Sequence, residues 1–350
     1  MNKEKKYYYG IDCLKLICSF LVVSIHTTMF HELNPQMYYF YHNYITRFAV
    51  PFFFLCSGFF FAMGLKMDVS RKELKDSVGR YFARLIRPFL LWGGVYFIIS
   101  LAEMIVFDNL SVSEAFASKL HLLLVESPGG GLWYVEALLW ILVIIWFSYK
   151  GRTSIKLYMI FFATLFLIQG LWSSADHGGV VLSQLRAAYY QVFLSERSFF
   201  FYGIYFFVGF FLERNKSKIK KKLWLYIALQ CFLYFLFAVF NSLTAYAWIA
   251  VGQQIAKICI SVCWFLMAYC IENERISRCW LVQNARLMST IIYFTHFLAI
   301  YGIKVLFKIG RVDFNSYCTV ACILVSIILF TFASILIRID KKKMIIARLY

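Results

Sequence analysis

Apolar runs of about twenty residues recur from one end of this chain to the other, punctuated by Lys and Arg. A hydrocarbon layer roughly 30 Å thick asks that length of a helix. It also forbids an open strand or loop, since each backbone N–H and C=O in lipid must be paired within its own element. Composition points the same way: 62% of residues are hydrophobic, 20% aromatic and 15% charged, against about 45–50% apolar and 25% charged in soluble domains. No single globular core hides such an excess. The pattern predicts an all-α, multi-pass transmembrane helical bundle.

Hydropathy places ten spans near 11–30, 44–64, 88–107, 131–149, 156–171, 198–212, 223–241, 245–270, 288–307 and 314–337. No fixed-period repeat and no linker divides them, so a single membrane domain over 1–350 is expected. With the N-terminus inside, the inner segments hold 27 Lys and Arg, whereas the outer loops hold Lys119, Arg186, Arg197, Lys308 and Arg311. That bias predicts N-in and C-in topology in the cell membrane. The net charge of +18 is then a matter of topology and anionic lipid; no nucleic-acid partner is expected. The first span carries Lys15 and lacks a small-residue cleavage site, so it reads as a retained helix. The ten cysteines fall mainly within spans, where they act as small hydrophobes.

Ionisable residues inside a membrane are costly and mark cavities, partners or chemistry. Lys15 and His26 are eleven residues apart, within roughly 20° of whole turns, so they share one helix face about 16 Å apart along the axis. Asp12, one turn earlier, is placed to neutralise Lys15. The pair taken alone fits equally a snorkelling lysine with a packed histidine. Arg47 and Glu136 enter from the same outer side at similar depth, and with His26 they would make an outward polar cavity. There a neutral imidazole oriented by a carboxylate is a workable general base.

A second cluster precedes the third span. Arg80, Arg84 and Arg87 lie four and three residues apart, on one helical face. Their forked donors suit phosphate oxygens, whether of a soluble ligand or of lipid headgroups. Pro88 is expected to mark the first turn of the span. The "PGGG" at 128–131 lacks the Lys-Ser/Thr of a phosphate loop, and His31, His42, His121 and His177 match no metal spacing, so no metal is expected. Lys257 and Lys304 need partners or water, and His296 falls near mid-membrane in the ninth span.

These residues resemble the acyltransferase-3 family of integral-membrane acyltransferases. Lys15 with His26 is similar to its Arg/Lys-x10-His signature. "RFAVPFFFLCSGFFF" (47–61) resembles its second-span motif, "RLIR" (84–87) its Arg-x-x-Arg element, "LWYV" (132–135), with Trp133, its Leu-Trp-aromatic element, and "IYFTH" (292–296), with Tyr293 and His296, its late Tyr-x-x-His segment. In texture the chain is closest to the membrane half of vancomycin-resistance serine/alanine racemases, whose sixth-span motif resembles residues 196–214 with Arg197 just ahead of the span. Neither a racemase half nor an esterase domain is expected after Tyr350. Lys15 stands where Arg is commoner, and Glu136 has no family counterpart.

The resemblance implies transfer of an acyl group, commonly acetyl, from acyl-CoA (acetyl-CoA) to a hydroxyl of an envelope glycan or similar acceptor. No bound cofactor is implied, since acyl-CoA is consumed as donor. Lys15, Arg84 and Arg87 would hold its nucleotide end on the cytoplasmic side, and His26 would act as base or as transient acyl carrier. The competing expectation is a transporter for a small amino acid such as serine. Against it, the chain shows no inverted repeat and no matched pair of broken spans.

Overall fold

A computed structural model describes residues 7–65, 70–107, 111–117, 131–148, 152–173, 179–192, 198–219, 221–242, 247–271 and 278–340. Among them there are helices and turns and no strand. The principal helices are α1 (Tyr9–His26), α2 (Pro35–Phe40), α3 (Ala49–Met63), α4 (Arg71–Phe107), α5 (Trp133–Ser148), α6 (Arg152–Ser173), α7 (Gly179–Val192), α8 (Phe199–Arg214), α9 (Leu223–Ser242), α10 (Ala247–Cys270), α11 (Trp280–Ile309) and α12 (Cys318–Ile339). A π turn and a 3-10 turn join α2 to α3 without a break. Seven helices or helical runs in the described residues are long and apolar enough to cross a membrane, and the apolar segments of α5 and α6 are shorter.

Each of the ten expected spans coincides with a helix. Two features differ from expectation. Pro88 does not begin its helix: α4 starts seventeen residues earlier and carries Pro88 in its interior. Proline removes the N–H that the Arg84 carbonyl would accept from, yet Pro88 is buried and the helix continues through it. What starts α4 is a capping box. Ser70 Oγ accepts from the Glu73 N–H at 3.2 Å, and Glu73 Oε2 accepts from the Ser70 N–H at 3.1 Å, so two otherwise orphaned donors are satisfied. The second difference is α7, which occupies part of an expected outer loop.

Contacts gather the chain into two compact units. The first takes in the described parts of Met1–Phe53, Ile219–Tyr234 and Cys259–Ala347; the second takes in those of Phe54–Lys218 and Phe235–Ile258.

In the first unit α1 packs on α11 and α12. Close approach begins at Gly10, where an added Cβ would meet the Ala268 carbonyl oxygen at 2.2 Å. The turn after α1 places Thr28 and Phe30 at positive φ (51° and 72°), a conformation that non-glycine residues adopt at a cost. Bonds to the first turn of α12 hold it there. The Phe30 N–H donates to Thr319 Oγ1 at 3.0 Å, and Glu32 Oε1 accepts from the Thr319 N–H at 2.6 Å. Glu32 thus caps the first turn of α12, where an anion faces the positive helix end.

The second unit is built on glycine and aromatic packing. An added Cβ on Gly58 of α3 would lie 1.8 Å from the Phe206 carbonyl oxygen of α8, and one on Gly209 of α8 would lie 2.0 Å from that of Leu55. Small residues let backbones approach where lipid supplies no hydrophobic drive between helices. Gly203 receives the Phe162 ring of α6 in the same way. Along α4, Arg80, Arg84, Arg87, Leu91 and Ile98 are all exposed, so a single stripe passes from guanidinium to aliphatic.

Candidate functional site

The α1–α11 pair carries the ionisable groups of the first unit. The helices run parallel: Ser289 Oγ donates to the Lys15 carbonyl at 3.1 Å, and further along both chains the His26 ring stands 5.5 Å from that of His296 and 4.5 Å from that of Phe297. The His26 ring therefore faces α11, and the Lys15 backbone lies against the same helix.

At the Lys15 end, Nζ lies 3.8 Å from Asp12 Oδ1, with both side chains mostly buried. Arg286 on α11 acts on the same carboxylate, so two cations share one acid. Sequence reasoning left Arg286 in an inner loop ahead of the ninth span. The usable signal was its spacing: Arg286, Ser289, Tyr293 and His296 recur at intervals of three and four, one face of a helix.

Along α1 and at its C-cap, the serine and threonine hydroxyls satisfy themselves. Ser19 and Ser24 donate to the Leu16 and Leu21 carbonyls, both at 2.7 Å, and Thr27 donates to that of Val23 at 3.0 Å. Such back-bonding leaves an apolar-walled helix with polar chemistry concentrated at Lys15 and His26.

At the other end, His296 is buried, with 1% of its surface exposed. Its Nδ1 lies 2.6 Å from the Tyr293 carbonyl oxygen. A carbonyl only accepts, so Nδ1 carries the proton and the neutral ring presents a bare lone pair at Nε2. That atom is buried with no hydrogen-bond partner among the described residues. The Tyr293 ring also lies against His296, at 6.0 Å. Of the two late-motif residues, His296 meets the first-span histidine and Tyr293 packs on His296.

The remaining candidates are described within their own units. Arg47 belongs to the first unit but is exposed, and its Nη1 donates to Asn43 Oδ1 at 3.1 Å, one turn back. Glu136 sits half-buried in the first turn of α5, in the second unit. Trp133 heads the same helix, with its ring 4.9 Å from Tyr202 and 6.0 Å from Phe54, a packing role. The neighbouring Tyr134 hydroxyl lies 2.6 Å from Ser57 Oγ, which explains the serine of the second-span motif, as Gly58 explains its glycine. Arg84 and Arg87 are exposed on α4, the former over the Tyr81 ring at 5.3 Å. Arg197 lies outside the described residues.

The sequence profile of the acyltransferase-3 family, described as an acyltransferase domain, matches residues 8–338. The chain belongs to the acyltransferase-3 family. Family membership thus covers both units, from the start of α1 to the last turn of α12. Among curated relatives, the chain is similar to two amino-acid racemases of Enterococcus faecalis. One is 24% identical over 241 residues, 67% of this chain and 32% of the relative; the other is 24% identical over 215 residues, 60% and 30% respectively. The alignments thus span about a third of the length of these relatives. No solved structure matches.

Proposed function

We propose that the chain transfers an acetyl group from acetyl-CoA to a hydroxyl of an envelope glycan across the cell membrane, with the Lys15 end of α1 at the cytoplasmic face. The observation that carries this reading is the two-ended α1–α11 pair: two cations sharing one carboxylate at one end, paired imidazoles at the other. Arginine and lysine are the donors that phosphate oxygens accept from, so Lys15 and Arg286 hold the nucleotide end of CoA. The extended pantetheine arm then follows α1 over the roughly 16 Å that eleven helical residues rise. The basic topology count and the family's acyltransferase description support the same orientation and chemistry.

At His26 the imidazole takes the proton of the acceptor hydroxyl as its oxygen attacks the thioester carbonyl. The new C–O bond forms, the C–S bond breaks, and the leaving thiolate recovers the proton as free CoA thiol. A positioned base contributes roughly 10²–10⁴-fold to such a step. The test is labelled acetyl-CoA supplied to inside-out vesicles, with label expected in envelope glycan. Label that stays in CoA and free acetate while labelled serine crosses the same membrane would replace transfer with transport.

A further inference from the structure

We infer that His296 is a positioning residue: its Nε2 accepts an N–H from His26, orients that ring, and holds the second N–H of the imidazolium formed when His26 takes a proton. The inference rests on the acyl-transfer reading above and deepens it.

Three observations meet at this atom. The Tyr293 carbonyl fixes the His296 tautomer and stops the ring from flipping to offer a donor. Nε2 is buried without a partner among the described residues, and a buried lone pair left unmet is costly. The third is distance. An imidazole nitrogen stands about 1.1 Å from its ring centre, so two nitrogens aimed at each other across centroids 5.5 Å apart come to roughly 3.3 Å, the long edge of hydrogen-bond range. The rings are tilted by 34°, and the pairing asks the His26 ring to turn one nitrogen toward His296.

The consequence for the reaction is specific. A neutral His26 that donates through one nitrogen keeps its lone pair on the other, toward the hydroxyl. After proton transfer both His26 nitrogens are donors; one faces the departing thiolate and the other stays on His296. The carboxylate that usually orients a catalytic histidine is here replaced by a second, neutral imidazole, an arrangement that avoids an isolated anion in lipid.

The test compares His296→Gln with His296→Phe, together with ¹⁵N-histidine spectra of the purified full chain. Glutamine keeps an acceptor near the Nε2 position; phenylalanine keeps the ring and removes the acceptor. The expected result is a kcat lowered roughly a hundredfold in the Phe variant, unchanged KM for acetyl-CoA and acceptor, and partial recovery of kcat in the Gln variant. Wild-type turnover in the Phe variant overturns the inference. Should that variant fail to fold, the spectra decide. His296 is expected to show a hydrogen-bonded, unprotonated Nε2 whose shift changes in His26→Ala, and an Nε2 shift indifferent to His26 overturns the pairing. The spectra need no substrate, so a chain inactive toward acetyl-CoA but with coupled histidines would sink the acyl-transfer reading and leave the pair standing.

Discussion

The two units use the same helical scaffold in opposite ways. Among the described residues, all the buried polar side chains except Ser198, Glu213 and Gln254 belong to the first unit. Asp12, Ser289 and His296 line the α1–α11 contact there, whereas the second unit joins α3, α5, α6 and α8 through glycines, Phe54, Phe162, Phe206 and Tyr202. Polar groups in lipid are tolerated only where they are satisfied or used. Most of the buried side-chain atoms without a hydrogen-bond partner among the described residues lie in the first unit, and two of them, Asp12 Oδ1 and His296 Nε2, sit on the α1–α11 pair. The difference teaches where to look for chemistry in an all-apolar chain: at the helix pair that tolerates unmet polarity.

The largest effect expected is at His26. His26→Ala should leave the chain in the membrane and lower acyl transfer by roughly 10²–10⁴-fold, read as label in glycan at saturating acetyl-CoA. Undiminished turnover would remove the first unit's claim to the chemistry.

Next comes the question of whether the second unit takes part at all. Replacing Arg84 and Arg87 together by Gln removes two charge-assisted contacts worth about 1.5–3 kcal/mol each if they grip donor phosphate. Donor KM should then rise by about two to four orders of magnitude, with acceptor KM unchanged. Lys should rescue only partly, since an ammonium makes no bidentate fork. If the arginines only anchor headgroups, CoA titration of the purified variants will show wild-type affinity, and the division of labour becomes sharper. Lys15→Gln with Arg286→Gln is the matching pair in the first unit.

The packing half of the comparison is tested at glycines. Gly58→Ala should destabilise by about 1–3 kcal/mol or more, because its Cβ meets backbone that cannot yield. Gly302→Ala on α11, with nothing within 4 Å of the added carbon, should be neutral or gain a few tenths to 1 kcal/mol from helix propensity. Thermal unfolding in detergent measures both; similar costs at the two sites would mean that close approach is not what holds the second unit.

Much of this architecture was legible in the residues because lipid leaves a chain few options: each expected span is a helix, and the Lys15–His26 face follows from 3.6-residue periodicity alone. What escaped has identifiable causes. The start of α4 was hidden because charge was read as loop, although Ser70 and Glu73 spell a capping box that ignores hydropathy. Arg286 was missed because its partner, Asp12, is remote in sequence, and nothing local announces a contact between α1 and α11. The bond from Arg47 to Asn43, one turn back, escaped too, since depth does not fix azimuth. The open Nε2 of His296 depends on a tautomer set by the Tyr293 carbonyl, a fact of side-chain geometry that no spacing encodes.

The smallest effect expected is at the turn that ties α1 to α12. Glu32 lies outside the spans. Partial burial works to raise its pKa, but the Thr319 hydrogen bonds outweigh that and hold the carboxyl below the ordinary glutamate value. A carboxylate whose folded pKa is lowered stabilises above its ordinary pKa of about 4.3, and that contribution is lost as pH falls through the folded value. Glu32→Gln retains an acceptor oxygen but removes the charge at the α12 N-terminus, at a cost of about 1 kcal/mol, or about 1–3 °C in Tm. The gap between wild type and variant should be full at pH 7 and close progressively below pH 4, and at pH 7 kcat should equal that of wild type because the cap touches neither histidine. A gap that persists at low pH would mean that the hydrogen bond, not the charge, restrains the turn. A fall in kcat at pH 7 would mean that the positive-φ turn at Thr28 and Phe30 also sets the position of His26, and the first unit's structural and chemical roles would no longer be separable.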